Sequence, residues 1–380
     1  MRVGIDIGPL AGERTGVGNY CYFLLKHLLQ QGRHEYVGLC PATGRPDLNG
    51  LPLAYRRIAL PTRILYRTWD AFGLPQVDTR LGGVDVYHAT NYVLPPTRRA
   101  KRVVTVHDLA FIAVPELCSP KIAGIFGKNI GRYCREADAI LVYSESTKLD
   151  LRRFLDVDET KIFATPMAVD TAFAPVDRDT AKEQVYVKYG VAGPFLLFVS
   201  TLEPRKNVVG LLEIFARLAK EFPHKLVLIG SVGWNAQPMF DAITRLGIGD
   251  RVVRPGYVPH GELPLFYSTA DAFVFPTHYE GFGLPLLEAL ACGCPVVASD
   301  NTSVPEVTGD AALLAAADDV DAQAANVRRV LTDEALRAEL IEKGFVQAKR
   351  FSWDRCAADT AAVYEHVAGI SRDTATDVRA

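Results

Sequence analysis

The chain has 380 residues, 49% of them hydrophobic and 23% charged, with a formal net charge of −2 at pH 7. It is long enough for two domains with independent cores, and its composition is ordinary for a soluble globular protein. No apolar run approaches the ~20 residues that cross a bilayer, and a slightly negative total without a recognition motif argues against nucleic-acid binding.

The seven cysteines (Cys21, Cys40, Cys118, Cys134, Cys292, Cys294 and Cys356) form no C-x-x-C pair and no Cys/His cluster. Zinc and dithiol chemistry are therefore not indicated, and reduced, buried thiols are expected. Charge is uneven along the chain. Between residues 43 and 153 Lys and Arg outnumber Asp and Glu, and from residue 301 onward the balance reverses. A basic first half suits an anionic partner such as a membrane surface or a lipid diphosphate, with chance surface charge as the plainer alternative.

Met1-Arg2-Val3-Gly4-Ile5-Asp6-Ile7 opens as a strand pattern rather than a secretory leader, so a cytoplasmic protein is expected. Strands are predicted at 3–7, 36–40, 84–89, 102–106 and 139–142, with helices notably at 20–29 and 122–137. Residues 165–179, with Pro166 and Pro175, read as a linker with a domain border near 175. The scheme then repeats, with strands at 195–199, 225–229, 251–254 and 272–275 and helices at 208–220, 240–246 and 263–269. Such alternation implies an α/β protein with parallel sheets covered by helices. Residues 311–317 read only as small and apolar. Ser352 is a candidate N-cap for a last helix running through Tyr364, and the chain beyond about 371 reads as a tail.

Several segments carry chemistry. Residues 63–72 mix Arg63 and Arg67 with Tyr66, Trp69 and Phe72. As a helix they suit a membrane interface, or equally an ordinary core-facing helix with a basic outer side. Arg98, Arg99, Lys101 and Arg102 form a second basic cluster. Arg205 and Lys206 follow a strand and precede a helix, where two cations suit a diphosphate and a solvated pair is the plainer reading. The densest segment is Glu280-Gly281-Phe282-Gly283-Leu284-Pro285-Leu286-Leu287-Glu288, a glycine turn feeding a short helix that Gly293 and Pro295 close. Both carboxylates flank the positive end of that helix, a place suited to a ligand with a diphosphate and sugar hydroxyls. Taken as isolated residues, Glu280 is equally a capping acid and Glu288 a solvated helix residue.

Four segments in this order resemble the signatures of retaining GT-B glycosyltransferases of the large E-x7-E family, which includes bacterial mannosyl- and glucosyltransferases. Thr15-Gly16-Val17-Gly18-Asn19-Tyr20 resembles its glycine-rich loop, and Thr105-Val106-His107-Asp108 its His-bearing strand end. Ser200-Thr201-Leu202-Glu203-Pro204-Arg205-Lys206-Asn207 resembles its phosphate-binding segment, and Glu280 to Glu288 its acidic pair. The resemblance implies two Rossmann-like domains facing across a cleft. An acceptor domain would span 1–175 and a nucleotide-sugar domain 176–352, with a helix at 353–371 crossing back to the first and a tail at 372–380.

The resemblance also assigns roles. Glu288 would bind ribose, and Glu280 would lie beside the donor sugar. The amides of Phe282 and Gly283 would meet sugar and phosphate, with Gly16, Gly281 and Leu284 also lining the donor. Tyr257 and Val258 would hold the base, although Tyr257 serves core packing as readily. Glu280, His107, Arg205 and Lys206 form the expected catalytic set; His107 alone would read as structural, as His88 does. Transfer would proceed by front-side substitution, without metal or other cofactor. The D-x-D run Asp156-Val157-Asp158, a Mn²⁺ motif in the other glycosyltransferase architecture, reads as chance. GDP-mannose is the first choice of donor and UDP-glucose the next. The acceptor would be a saccharide, with a polyprenyl-diphosphate carrier and peripheral contact with an anionic membrane accounting for the basic segments. A sugar-nucleotide 2-epimerase and a non-catalytic sugar-nucleotide binder are the rival readings.

Overall fold

The computed structural model describes residues 1–12 and 16–370. Thr15 of the glycine-rich segment and the expected tail at 372–380 lie outside the described residues. The chain forms two units. The first takes Met1–Ala113, Lys121–Met167 and the chain from Ser352 onward; the second takes Val114–Pro120 and Ala168–Phe351. The division thus falls at Met167, earlier than the border near 175. The reason is local packing, since the Phe173 ring lies 4.8 Å from His260 and 6.1 Å from Tyr267, both in the second unit.

The first unit is built on strands β1 (Arg2–Asp6), β2 (Glu35–Cys40), β3 (Tyr55–Arg57), β4 (Val86–Ala89), β5 (Lys101–Thr105), β6 (Ala139–Val142) and β7 (Ile162–Ala164). They form one seven-stranded sheet in the order β3-β2-β1-β4-β5-β6-β7, and every pairing is parallel. β4 and β6 are buried along their whole length, as a parallel sheet covered on both faces requires. The two edge strands, β3 and β7, were not read from the sequence; each has three residues, too few for a pattern. The helix expected over 122–137 is broken. A single turn of π-helix at Ala123–Gly127 separates the short Pro120–Ile122 turn from the Ile130–Glu136 helix, and Gly124 and Gly127 are weak helix formers at that break.

The last helix, Trp353–Val367, packs on the Gly16–Gln31 helix of the same unit. Trp353 stacks on Phe23 at 5.5 Å, and Arg33 Nη2 bonds both carboxylate oxygens of the buried Glu365 at 3.0 Å. Ser352 caps the helix, accepting from the Arg355 amide.

Residues Thr62–Phe72 do form a helix, but its aromatic residues divide. Leu65 and Trp69 are buried, and Trp69 Nε1 donates to the Pro75 carbonyl at 3.0 Å with Tyr66 stacked at 5.7 Å. Asp70 accepts from Asn129, Arg132 and Tyr133, which fixes the helix to the unit. Of the three aromatics expected at a membrane face only Phe72 is exposed, together with Ile64 and Leu74. The second basic cluster is also partly spent: Lys101 pairs with Asp138 and Arg102 with Glu136.

The second unit contains β8 (Phe195–Val199), β9 (Lys225–Ile229), β10 (Val252–Gly256), β11 (Ala272–Phe275), β12 (Val296–Ser299) and β13 (Ala312–Ala315). They form a six-stranded sheet, β10-β9-β8-β11-β12-β13, again parallel throughout. The small apolar run at 311–317 supplies the edge strand β13. In both sheets the order reverses once, between β1 and β4 and between β8 and β11. A crevice beyond the carboxyl ends of those strands is where doubly wound sheets place ligands. Among the described residues no helix is long and apolar enough to cross a membrane.

Because Trp69 belongs to the core, Trp69→Ala should destabilise the first unit by about 3–5 kcal/mol. Urea unfolding measures this, and a loss below about 1 kcal/mol would return Trp69 to the surface.

Candidate active site

In the second unit, strand order places the loops after β8 and β11 side by side. The β8 loop enters a short turn, Pro204–Lys206, and then the Val208–Leu218 helix. Asn207 stands between them in the left-handed region, at φ 52°. Its side chain caps the helix through the Gly210 amide at 3.1 Å and donates to the Ala317 carbonyl at 2.9 Å. A Cβ on Gly210 would lie 2.5 Å from the Asn207 side chain, so this cap needs glycine there.

The turn delivers Lys206 into the interior, where Nζ meets Glu280 Oε1 at 2.5 Å. Arg205 remains more open, with 17% of its side chain exposed. It donates to the Tyr279 carbonyl at 2.8 Å and lies 3.2 Å from Glu203 and 3.7 Å from Glu280. The Glu280 carboxylate also accepts from Thr277 Oγ1 at 3.0 Å, while its amide donates to Thr302 Oγ1 at 3.1 Å. The two loops are laced by the backbone too: the Arg205 carbonyl accepts from the His278 amide and the Thr277 hydroxyl. Burial pulls the Lys206 ammonium below its usual range, and the neighbouring Arg205 adds to this against the support of Glu280.

Glu280 leads into the Gly281–Gly283 turn and the Leu284–Ala291 helix. Gly283 has φ 99°, and a Cβ there would stand 2.9 Å from Leu286, so both backbone and space require glycine. Phe282 is buried against Phe351, at 5.7 Å between rings. Ser303 Oγ bridges the carbonyls of Glu280 and Phe282 at 3.0 and 2.8 Å. Leu284 begins the helix, half-buried. Glu288 is not a solvated helix residue: it is 7% exposed and accepts from the Tyr267 hydroxyl at 2.8 Å. Burial raises its carboxyl to about 7, and the Tyr267 bond offsets only part of that.

After β10, Val258 is buried and Tyr257 is 56% exposed, so Tyr257 does not serve the core. A cavity lined by Glu203, Pro204, Asn207, Asn235, Met239 and His278 opens beside the Pro204–Lys206 turn and includes neither Glu280 nor Glu288.

The first unit holds the other expected residues. Gly16 begins its helix, with nothing within 4 Å of where a Cβ would stand. His107, just beyond β5, is buried; Nδ1 lies 2.6 Å from the Tyr143 hydroxyl. Nε2 is buried without a hydrogen-bond partner, although the Thr90 carbonyl sits beside the ring short of bonding geometry. Burial lowers the imidazole to about 4, so it is neutral at pH 7. Tyr92, at the unusual φ of 54°, packs edge-on against His107 at 5.1 Å and bonds Asp108 through its hydroxyl. Asp156 ends one helix in the left-handed region, and the Asp158 carboxylate caps the turn at Glu159–Lys161 by accepting from the Thr160 amide. Among the described residues no group of three or more His, Cys, Asp or Glu side chains is placed to hold a metal ion.

Sequence reasoning missed the residues that hold this site together. Thr277, Asn301, Thr302 and Ser303 all bond the β11 loop, with Asn301 Nδ2 donating to the carbonyls of Thr277 and His278. Their signal was the polar run Ser299-Asp300-Asn301-Thr302-Ser303 directly after an apolar strand. Tyr143, Tyr267 and Tyr92 carried no local signal, since each meets its partner only through the tertiary fold.

Two doubly wound parallel sheets, one carrying an Arg-Lys turn against the buried Glu280, define a GT-B protein. Residues 187–347 match the family model described as glycosyl transferases group 1, and residues 14–173 match that of glycosyltransferase family 4. The "O-antigen chain mannosyltransferase B" of Escherichia coli is 36% identical over 388 residues, covering 96% of this chain and all of that protein. Among solved structures, sucrose-phosphate synthase from Thermosynechococcus elongatus superposes with a TM-score of 0.73 at 22% identity, over 97% of this chain and 100% of that one. HepE of Anabaena, solved with UDP-glucose, reaches a TM-score of 0.73 at 17% identity, over 95% and 99%. The chain belongs to this glycosyltransferase family, and it is a glycosyltransferase.

Replacing Lys206 by Met should strand the buried Glu280 charge with weaker partners and cost about 3–5 kcal/mol. Adding Glu280→Gln should restore part of that loss. Urea unfolding of both singles and the double tests it, and strictly additive effects would show the pair is not energetically coupled.

Proposed function

We propose that the protein transfers mannose from GDP-mannose, with retention of configuration, to a saccharide acceptor carried on polyprenyl diphosphate in surface-polysaccharide synthesis. The observation that carries this reading is the Glu280 carboxylate, held by Lys206 and Thr277 at the head of the turn that leads to Glu288. The choice of mannose is supported by the E. coli O-antigen chain mannosyltransferase, which matches this chain along its whole length.

In this reading Lys206 fixes Glu280 beside the donor sugar, and the more exposed Arg205 turns to the diphosphate. The acceptor hydroxyl oxygen bonds to the anomeric carbon on the face the diphosphate leaves. The anomeric carbon–oxygen bond breaks, and the acceptor proton passes to the departing phosphate oxygen. Arg205 and the positive end of the Leu284–Ala291 helix stabilise the leaving charge, so no metal is required. Glu280 and Glu288 do not form the nucleophile pair of a retaining hydrolase, because Glu288 is assigned to ribose. Neutral His107 donates a hydrogen bond to the sugar, and the exposed Tyr257 ring covers the base.

The deciding experiment offers radiolabelled GDP-mannose and UDP-glucose to purified protein with an extracted lipid-linked acceptor, in excess EDTA. Mannose transfer with its α-linkage retained is expected, falling about 10²–10³-fold in Arg205→Ala. Transfer from UDP-glucose alone replaces the donor, and transfer that needs Mn²⁺ overturns the metal-free route.

The pH dependence follows from Glu288. Ribose hydroxyls donate to its carboxylate, so binding favours the ionised form and must release a proton below the free value of about 7. GDP affinity should rise, by at most about tenfold per pH unit, as pH increases towards 7 and then level off. Calorimetry in buffers of differing ionisation enthalpy reads the released proton, and Glu288→Gln should abolish both effects.

A lipid-linked acceptor places the first unit at a membrane face, and the exposed Ile64, Phe72 and Leu74 beside Arg63 and Arg67 suit that contact. Two arginines contribute only about 2 kcal/mol at an anionic surface, so the apolar side chains must supply the rest. Flotation with anionic but not neutral vesicles is expected, lost in a folded Phe72→Asp, Leu74→Asp double variant. A wild-type protein that never floats at low salt would point to a soluble acceptor.

A further inference from the structure

Three consecutive side chains after β12 reach back to one short segment after β11. Asn301 Nδ2 donates to the carbonyls of Thr277 and His278 at 3.0 and 3.1 Å. Thr302 Oγ1 accepts from the Glu280 amide at 3.1 Å. Ser303 Oγ lies 3.0 and 2.8 Å from the carbonyls of Glu280 and Phe282. Successive side chains of an extended chain point to opposite sides, so three in a row would not meet one partner segment. The left-handed turn at Thr302, with φ 49°, brings them onto the same side. A β-branched residue is a poor occupant of that region, and such strain persists only where the surroundings over-determine it. Glycine would adopt the turn freely but has no hydroxyl.

The hydroxyl completes the hold on Glu280. At the far end of that residue, Lys206 Nζ and Thr277 Oγ1 both bond carboxylate oxygen Oε1, at 2.5 and 3.0 Å. Among the described residues Oε2 has only the 3.7 Å approach of Arg205. Glu280 is therefore fixed at its amide and at one carboxylate oxygen, and the other oxygen is left for a ligand. Thr302 is itself braced. It donates to Asn301 Oδ1 at 3.3 Å, and that oxygen also accepts from Ser299 Oγ at 3.3 Å, at the end of β12.

We propose that Thr302 is a positioning residue for the transfer reaction. Its left-handed backbone aims the hydroxyl at the Glu280 amide, and this contact sets the angle at which Glu280 Oε2 meets a hydroxyl of the donor sugar. The proposal rests on the reading of Glu280 as the donor-sugar contact. In that reading Glu288 meets the ribose, so losing the Thr302 hydroxyl weakens the grip on the sugar and spares the grip on the nucleotide. A residue that merely stabilised the loop would affect both alike.

Calorimetry on the full chain, titrated with GDP and separately with GDP-mannose, reads the two grips apart, and steady-state assays add turnover. UDP and UDP-glucose serve as the pair if transfer selects that donor. Thr302→Ala and Thr302→Ser both remove the branch, and only serine keeps the hydroxyl. Alanine should lower GDP-mannose affinity about fivefold, the worth of one hydrogen bond, with GDP affinity unchanged. Turnover should fall by about tenfold or more, since misplacing a reacting group by about 1 Å costs up to about 10²-fold. Serine should rescue both. Thr302→Gly, which takes the turn without strain, should show the same selective loss and replaces alanine if that variant does not fold. Equal losses for GDP and GDP-mannose, no loss for either, or failure of serine to rescue would overturn the proposal. Glu280→Gln separates it from the reading beneath it. If Glu280→Gln leaves GDP-mannose affinity and turnover intact, the sugar contact itself fails. If Glu280→Gln shows the selective loss and Thr302→Ala does not, only the role of Thr302 fails.

Discussion

The candidate site depends on one buried ion pair. Lys206 and Glu280 come from loops after different strands, and each lies almost out of water. An ammonium or a carboxylate left alone there would be strongly unfavourable, so neither loop can move off without exposing or stranding a charge. The Gly281–Gly283 turn follows Glu280 directly, and Ser303 ties that turn down from the β12 side. The head of the Leu284–Ala291 helix is thereby held in place before any ligand arrives. Such preorganisation lets a site stabilise developing charge without first rearranging its own dipoles.

The two units show how little of a site's chemistry comes from topology. Both sheets reverse once, and both present loops at the same kind of crevice. In the second unit the loops carry full charges in opposition. In the first, the residue just beyond β5, one strand on from the reversal, is an imidazole kept neutral by burial and surrounded by the rings of Tyr20, Tyr92 and Tyr143. One framework supplies ionic grip and the other uncharged hydrogen bonding.

Much of this was legible in the sequence, for physical reasons that differ by residue. Arg205, Lys206, Glu280 and Glu288 lie in short segments where residue type and helix phase speak locally. The long central strands were legible because a strand buried on both faces must be continuously apolar. What escaped depended on distant partners. β3 and β7 are held from one side only, and Ala312–Ala315 extends because Val296–Ser299 offers it a paired edge, although alanine favours helix. Trp69 looked suited to a membrane until Pro75 and Tyr66 supplied its contacts. The pairing of Lys206 with Glu280 joins residues that no local window contains together, and only the β8–β11 adjacency makes it visible.

That adjacency also imposes an order of events on the growing chain. β9 and β10 add to one side of β8, and β11 must cross over to the other. Synthesis delivers β8 and its Arg205-Lys206 turn long before β11 and Glu280. Until the crossover closes, Lys206 has only Glu203 nearby in sequence for a carboxylate and remains hydrated. Its burial therefore belongs to the closing of the sheet, a long-range step and hence a slow one. Formation of the Lys206–Glu280 pair thus marks completion of this unit: a half-built sheet has the cations but no place to bury one of them.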